Sequence, residues 1–270
     1  MAAPVIIVPQ ENWATLVAPT LSTGAIATNH TPAMIADGSP GSQMLTTSLQ
    51  IELRWDLLAA KQVDYLTHHH HNLDPGHTGI RFRGSTTSGH TGNVWNLTPV
   101  IPAKDTDGFS VDSQVNLVTA IPVAGDRTAR YVSWLLGTTN NSANISIGEL
   151  TFGKSRSLPR EFSRFVGEAI EYFGKKHKTN GGSTLSYSRG TKLRRFTGEF
   201  VVHDSEFQAV KDIWDYLHGA FKPFTLIPNP VHNIAYFGFA IEPILDLGRV
   251  GPRTRKLVLR FEEQGRGLVP

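Results

Sequence analysis

Leu49, Ile51, Leu53 and Trp55 alternate with Gln50, Glu52, Arg54 and Asp56, the two-residue period of a half-buried strand. Similar short apolar pieces follow: QVDYL, GIRFRG, NVWNL, QVNLVTAI, RYVSWLLG and NISIGELTFG. Clusters of Gly, Asn, Asp and Pro separate them, and that spacing predicts an all-β sandwich. Residues 1–44 are rich in small residues with little periodicity and predict an extended arm leading into it. The polar, basic stretch Gly153–Glu161 marks a boundary, giving an arm plus sandwich over 1–152 and a second domain over 153–270.

In the second half, Phe162, Phe165, Val166, Ile170 and Phe173 fit either a helix or a strand interrupted at Gly167. Asn180-Gly181-Gly182 reads as a turn, and TLSYS and KLRRFTGEFVVHD as strands, with Phe196, Gly198, Phe200 and Val202 on one face. One helix is well marked. It opens on Ser205 and Gln208 at capping-box spacing, carries the stripe Phe207, Val210, Ile213, Trp214 and Leu217, and stops at Gly219 before Pro223. FTLIP, IAYFGFAIEPI and RKLVLRFEE follow as strands; Ala235, Phe237, Phe239 and Ile241 share one face, and Leu257, Leu259 and Phe261 another. The fold class is mainly β: a sandwich followed by a β-rich domain with one packed α-helix.

Composition narrows the chemistry. The absence of cysteine excludes disulfides, thiolate metal sites and cysteine nucleophiles. No apolar run approaches a membrane span, and the N-terminus lacks the basic and long apolar regions of a signal peptide, so synthesis in the cytoplasm is expected. Lys and Arg against Asp and Glu number 7 against 11 in residues 1–150 and 19 against 12 in 151–270. A basic second half suits an acidic protein neighbour better than nucleic acid, because the basic positions are spread out and not interleaved with aromatics.

Enzyme signatures are absent: there is no G-x-S-x-G, no phosphate loop and no H-E-x-x-H. The acid pairs Glu168 with Glu171, Asp212 with Asp215 and Asp105 with Asp107 read as solvated faces. Four consecutive histidines, His68–His71, alternate faces if they continue a strand, so at most two can address one ion. Asp74, His77 and His90 lie nearby at spacings that match no metal-site type. No metal and no cofactor is expected. Trp95, flanked by Asn93 and Asn96, has the makings of a sugar contact, an aromatic face beside amides, and also fits a core. Trp13, Trp55 and Trp134 fit the core, while Trp214 suits either core or interface.

Two stretches resemble known families. From Met34 the A-D-G turn, the strand ending in W-D-L and the V-D-Y-L preceding H-N-L (His71, Asn72, Leu73) resemble discoidin-like, galactose-binding-like jelly-roll domains. Arg130, Tyr131, Ile147, Gly148 and Glu149 resemble the closing strand pair of such domains. The resemblance makes Val63, Tyr65, His71, Asn72 and Leu73 framework and His68–His70 a variable approach to it. From about Leu158, F-T-G-E-F, the helix ending in P-F (Pro223, Phe224) and R-K-L-V-L-R-F-E-E-Q-G resemble the ring-forming domain of tail-tip proteins of long-tailed bacteriophages. That resemblance implies a virion structural protein of the tail tip or baseplate, assembled in a bacterial host. Its partners would be copies of itself in a hexameric or trimeric ring, the tail tube, hub and fibres, and, through the jelly roll, cell-surface glycan. Arg189, Lys192, Arg194, Arg195 and Trp214 are the candidate assembly contacts. A carbohydrate-binding, host-recognition protein is the alternative.

Overall fold

The computed structural model describes residues 3–39, 42–73, 79–99, 117–121, 127–137, 145–162, 164–178, 184–217, 222–230, 235–241 and 248–264. In chain order the first strands are β1 (Val5–Ile7), β2 (Thr20–Thr23), β3 (Met44–Leu45), β4 (Ile51–Gln62), β5 (Tyr65–His71), β6 (Arg81–Ser85), β7 (Asn93–Leu97), β8 (Leu117–Ala120), β9 (Thr128–Leu136) and β10 (Ser146–Gly153). They continue with β11 (Arg156–Ser157), β12 (Arg164–Lys178), β13 (Thr184–His203), β14 (Phe224–Ile227), β15 (Tyr236–Ala240), β16 (Gly248–Gly251) and β17 (Thr254–Glu263). The helices are α1 (Trp13–Leu16) and α2 (Asp204–Tyr216).

A four-stranded sheet in the order β3, β10, β5, β8 and a five-stranded sheet in the order β2, β4, β9, β6, β7 form the sandwich. Between them lie Ile51, Leu53, Trp55, Phe82, Trp134, Leu66, Leu150 and Phe152, all essentially inaccessible. The alternation in β4 produces this arrangement: Ile51, Leu53 and Trp55 point inward, while Arg54 and Asp56 are only half-buried on the other side. Leu49, expected in the same strand, precedes it and is exposed, because β4 starts at Ile51.

The third sheet runs β11, β1, β14, β15, β17, β13, β12, with β16 on β17. Phe196, Phe200 and Val202 of β13 meet Leu257, Leu259 and Phe261 of β17 in its core, which α2 covers with Val210 and Ile213. The helix is where periodicity placed it, but its cap differs. His203 is the N-cap, its side chain meeting the Glu206 backbone while the Glu206 carboxylate accepts the His203 backbone N–H at 2.9 Å.

Four further differences carry physical reasons. Residues 1–44 are not only an arm into the sandwich: Val5–Ile7 pairs with β14 and β11 in the third sheet, so the sandwich is inserted between strands of that sheet. The stretch that fitted helix or strand is strand β12, its alternatives decided by pairing with β13. TLSYS and KLRRFTGEFVVHD form one continuous strand of 20 residues. In β15 it is Tyr236 and Ala240 that enter the core with α2, while Phe237 turns to the opposite face. Of the expected shared face of Ala235, Phe237, Phe239 and Ile241, Ala235 and Phe237 are buried on the sandwich side, Phe239 is half-buried and Ile241 is exposed. The Asn180–Gly182 turn lies outside the described residues, as do Asp74, His77, Asp105 and Asp107.

Close approach fixes one glycine. A Cβ on Gly84 would lie 2.1 Å from the Trp95 ring, which packs flat over that position. Gly84→Ala is expected to cost about 1–3 kcal/mol through overpacking, measured by urea unfolding.

Candidate functional site

The first candidate surface is the outer face of the five-stranded sheet. Register places Arg54, Ser133, Arg83 and Asn96 in one row across β4, β9, β6 and β7. Glu52, buried beneath this row, accepts from Arg54 at 2.9 Å and from Arg83 at 2.5 Å, and Arg83 also donates to the Ser133 hydroxyl at 3.1 Å. Burial alone would raise the Glu52 pKa, but the Arg54 hydrogen bond and the charges of Arg54, Arg83 and His90 outweigh it and hold the carboxyl below its ordinary value. His90 hydrogen-bonds to Asn93, and burial followed by the charges of Arg83 and Arg54 lowers its pKa.

Of the three expected sugar contacts, Asn93 and Asn96 are exposed on this surface and Trp95 is not. Trp95 is 6% exposed, in the sandwich core against Phe82 at 6.3 Å. Trp95 pairs with Gly84, whose missing side chain leaves room for the ring on the inner face, while Asn96 pairs with Arg83 in the outer row and a register shift separates Asn93 from Trp95. Its face is unavailable to a pyranose.

The second surface is the end of the third sheet. Among the described residues β12 is its terminal strand, and β17 pairs with β13 over Arg195–His203. Beyond that, Ala169–Lys178 and Thr184–Arg194 form a two-stranded ribbon with no third strand among the described residues. At about 3.3 Å per residue it reaches roughly 35 Å past the sheet. The pairing shifts between Tyr172↔Lys192 and Gly174↔Ser188, so Arg189 sits in a bulge. Arg189, Lys192 and Arg194 are thus together on the ribbon. Arg195 is not a free assembly cation, since its guanidinium donates to Glu262 at 2.7 Å. Trp214 is half-buried against the core under α2. Glu168 and Glu171 lie on strand β12, not on a helix.

The third feature is the seam where the outer face of the four-stranded sheet meets the third sheet. Thr67, Thr151 and Thr225 form a hydroxyl chain across it, with Thr151 to Thr225 at 2.8 Å, and His69 lies 5.5 Å from Phe237. Val5, Ile227, Ala235 and Tyr65 close it. β5 is therefore covered on both sides, and the histidine run is buried structure, not an approach loop. His68 and His69 are fully buried, and the Trp134 indole N–H donates to His68 Nε2 at 2.8 Å. Burial first, then the neighbouring histidines, push both pKa values well below the ordinary 6.5. Opposite His69 in register is Glu149, whose pKa burial, then the charge of Asp37, raises well above 4.5 despite the Gly38 N–H at 3.1 Å. Among the described residues no group of three His, Cys, Asp or Glu side chains is arranged to hold a metal ion. No helix among them is long and apolar enough to cross a membrane.

The local pattern did not reveal the seam. Its available signal was the apolar run Val5-Ile6-Ile7 and the β-rich stretch Phe224-Thr225-Leu226-Ile227, short pieces of the kind that form strands buried on both faces.

No family model and no curated protein matches the chain. Solved structures similar to it include the lectin domain of lectinolysin complexed with Lewis B antigen, at 16% identity and a TM-score of 0.38, covering 55% of this chain and 100% of that one. A fucose-binding module of Streptococcus pneumoniae shares 14% identity with a TM-score of 0.37, covering 53% and 97%. Chitosan-binding module 1 of a Paenibacillus sp. IK-5 chitosanase/glucanase shares 17% with a TM-score of 0.36, covering 53% and 98%. These likenesses are too weak to bear on activity; the mainly β, two-sheet sandwich rests on the strand pairing itself.

Proposed function

We propose that this protein is a non-catalytic assembly component that self-associates through the β12 end of its third sheet and carries the sandwich as a rigidly docked head. One observation carries the reading: a two-stranded ribbon ending in a 15-residue edge strand with no neighbour on its outer side among the described residues. A lone two-stranded ribbon is marginal in water, and an open edge is a template for another chain. The buried polar seam holds the head in one orientation.

The finer form of the reading is a ring component of a phage tail tip, in the virion, joining tube to hub or fibre proteins. Its support is that the F-T-G-E-F strand, the helix and the closing strand lie together in one sheet-and-helix unit. The test is solution mass. Wild type is expected to form discrete closed oligomers at micromolar concentration. A chain in which residues 171–193 are replaced by Asn-Gly, joining the paired positions Ile170 and Arg194, is expected to be folded and monomeric. A wild-type monomer at 50–100 µM (roughly, the range of weak associations) would overturn the reading.

A second reading, glycan binding by the head, is favoured by the exposed amides of Asn93 and Asn96 beside the Arg83–Glu52 pair. The sugar-binding proteins named above share the fold class only. Binding of fucose or galactose at millimolar concentration, lost in Asn96→Ala, would support it; no binding to wild type would sink it.

A further inference from the structure

A cleft of about 440 Å³ lies at the opposite end of the third sheet from β12, beside β11. Gln10, Arg156, Asp212, Asp215 and Tyr216 line it. Arg156 is fully occupied: it pairs with both Glu11 oxygens at 2.7 and 2.8 Å and lies 4.1 Å over the Tyr216 ring. The exposed Asp212 and Asp215 are different. Asp204 and Glu206, the other acids of α2, are neutralised by Arg255 and Arg160, whereas Asp212 and Asp215 hold no cation among the described residues. Among the described residues Asp212 accepts the Gln208 amide alone, at 2.7 Å. The Gln10 side-chain oxygen is buried in the same place with no donor. The cleft thus presents acceptors and uncompensated negative charge.

The ribbon has the complementary character. Ala169–Lys178 and Thr184–Arg194 contain Lys175, Lys176, Lys178, Arg189, Lys192 and Arg194 against a single acid, Glu171. Cationic ribbon and acidic cleft sit at opposite ends of one sheet, so neither reaches the other within a chain, and copies can join head to tail. Such heterologous contacts close into rings when the rotation per subunit permits.

We infer that the Gln10–Asp212–Asp215 cleft receives the basic end of the β12–β13 ribbon of a second copy of this chain. The inference rests on the self-assembly reading above and names its second surface. Charge supplies register and encounter rate, while strand edges and apolar contacts supply the remainder.

The test uses the full chain and sedimentation velocity at low and high salt. The double reversal Asp212→Lys with Asp215→Lys, and the triple reversal Lys175→Glu, Lys176→Glu and Lys178→Glu, are each expected to weaken association at least about tenfold. Combining all five is expected to restore it to within about threefold of wild type. Asp212→Asn with Asp215→Asn is a gentler control in which the salt dependence should flatten. Oligomers indifferent to both reversals would overturn the cleft's part and leave the β12 edge as the assembly surface. A wild-type monomer would instead remove the self-assembly reading and this inference with it.

Discussion

Lowering the pH from 6.5 to 5.0 is expected to remove about 2 kcal/mol of stability, because the fully buried His68 and His69 oppose the fully buried Glu149. His68 and His69 have depressed native pKa values, so their contribution is complete above the ordinary 6.5 and is lost as pH falls below it. Each such group gives a slope of up to about 1.4 kcal/mol per pH unit. Glu149 acts in the opposite sense: its pKa is raised, so its contribution is complete below 4.5 and is lost as pH rises. Between those limits two slopes meet one of opposite sign. Glu149→Gln should therefore roughly double the acid-side loss. His90, also lowered, adds modestly in the histidine direction. Glu52 and Asp64, both lowered, titrate below this window. Urea unfolding at several pH values, with and without Glu149→Gln, measures the slopes; a profile flat from 7 to 5 would contradict the burial of the histidine pair.

Trp95→Ala is expected to destabilise the sandwich by about 3–5 kcal/mol, the range for removing a buried large aromatic. The ring fills the space over Gly84 and contacts Phe82, so truncation opens a cavity with little to collapse into it. Lost glycan binding in this variant would therefore say nothing about sugar contact. Asn96→Ala touches the same strand from its exposed side and should leave the melting temperature within about 1–2 °C, since surface substitutions usually stay within ±0.5 kcal/mol. The pair separates stability from recognition: a Trp95→Ala protein with wild-type stability would place the ring outside the core.

What the chain reveals locally is what depends on one face. The alternation Ile51, Leu53, Trp55 and the helical stripe Val210, Ile213, Leu217 each encode a single buried side, and both are where the pattern puts them. The failures share the opposite cause. His69 is buried against Phe237 of β15 and His68 against Trp134 of β9, 66 residues away, and no window around them records either cover. Phe237 faces the seam for the same reason. For β12, Gly167 and the spacing of Phe165, Ile170 and Phe173 leave the period undecided, and only the partner strand resolves it. At the candidate site the polar pattern accounts for the exposure of Asn93 and Asn96, whereas the burial of Trp95 follows from its pairing with Gly84 on another strand. The end-to-end relation of ribbon and cleft followed from sheet order alone.

The place of β1 also governs how the chain is made. Val5 pairs with Ile227, so this apolar segment emerges from the ribosome about 220 residues before its partner. The sandwich can pack in the interval, whereas the third sheet must wait for nearly the whole chain. Contacts of such long range make closure of that sheet slow. Until then Val5, Ile6 and Ile7 are an uncovered sticky end, vulnerable to pairing with a neighbouring nascent chain.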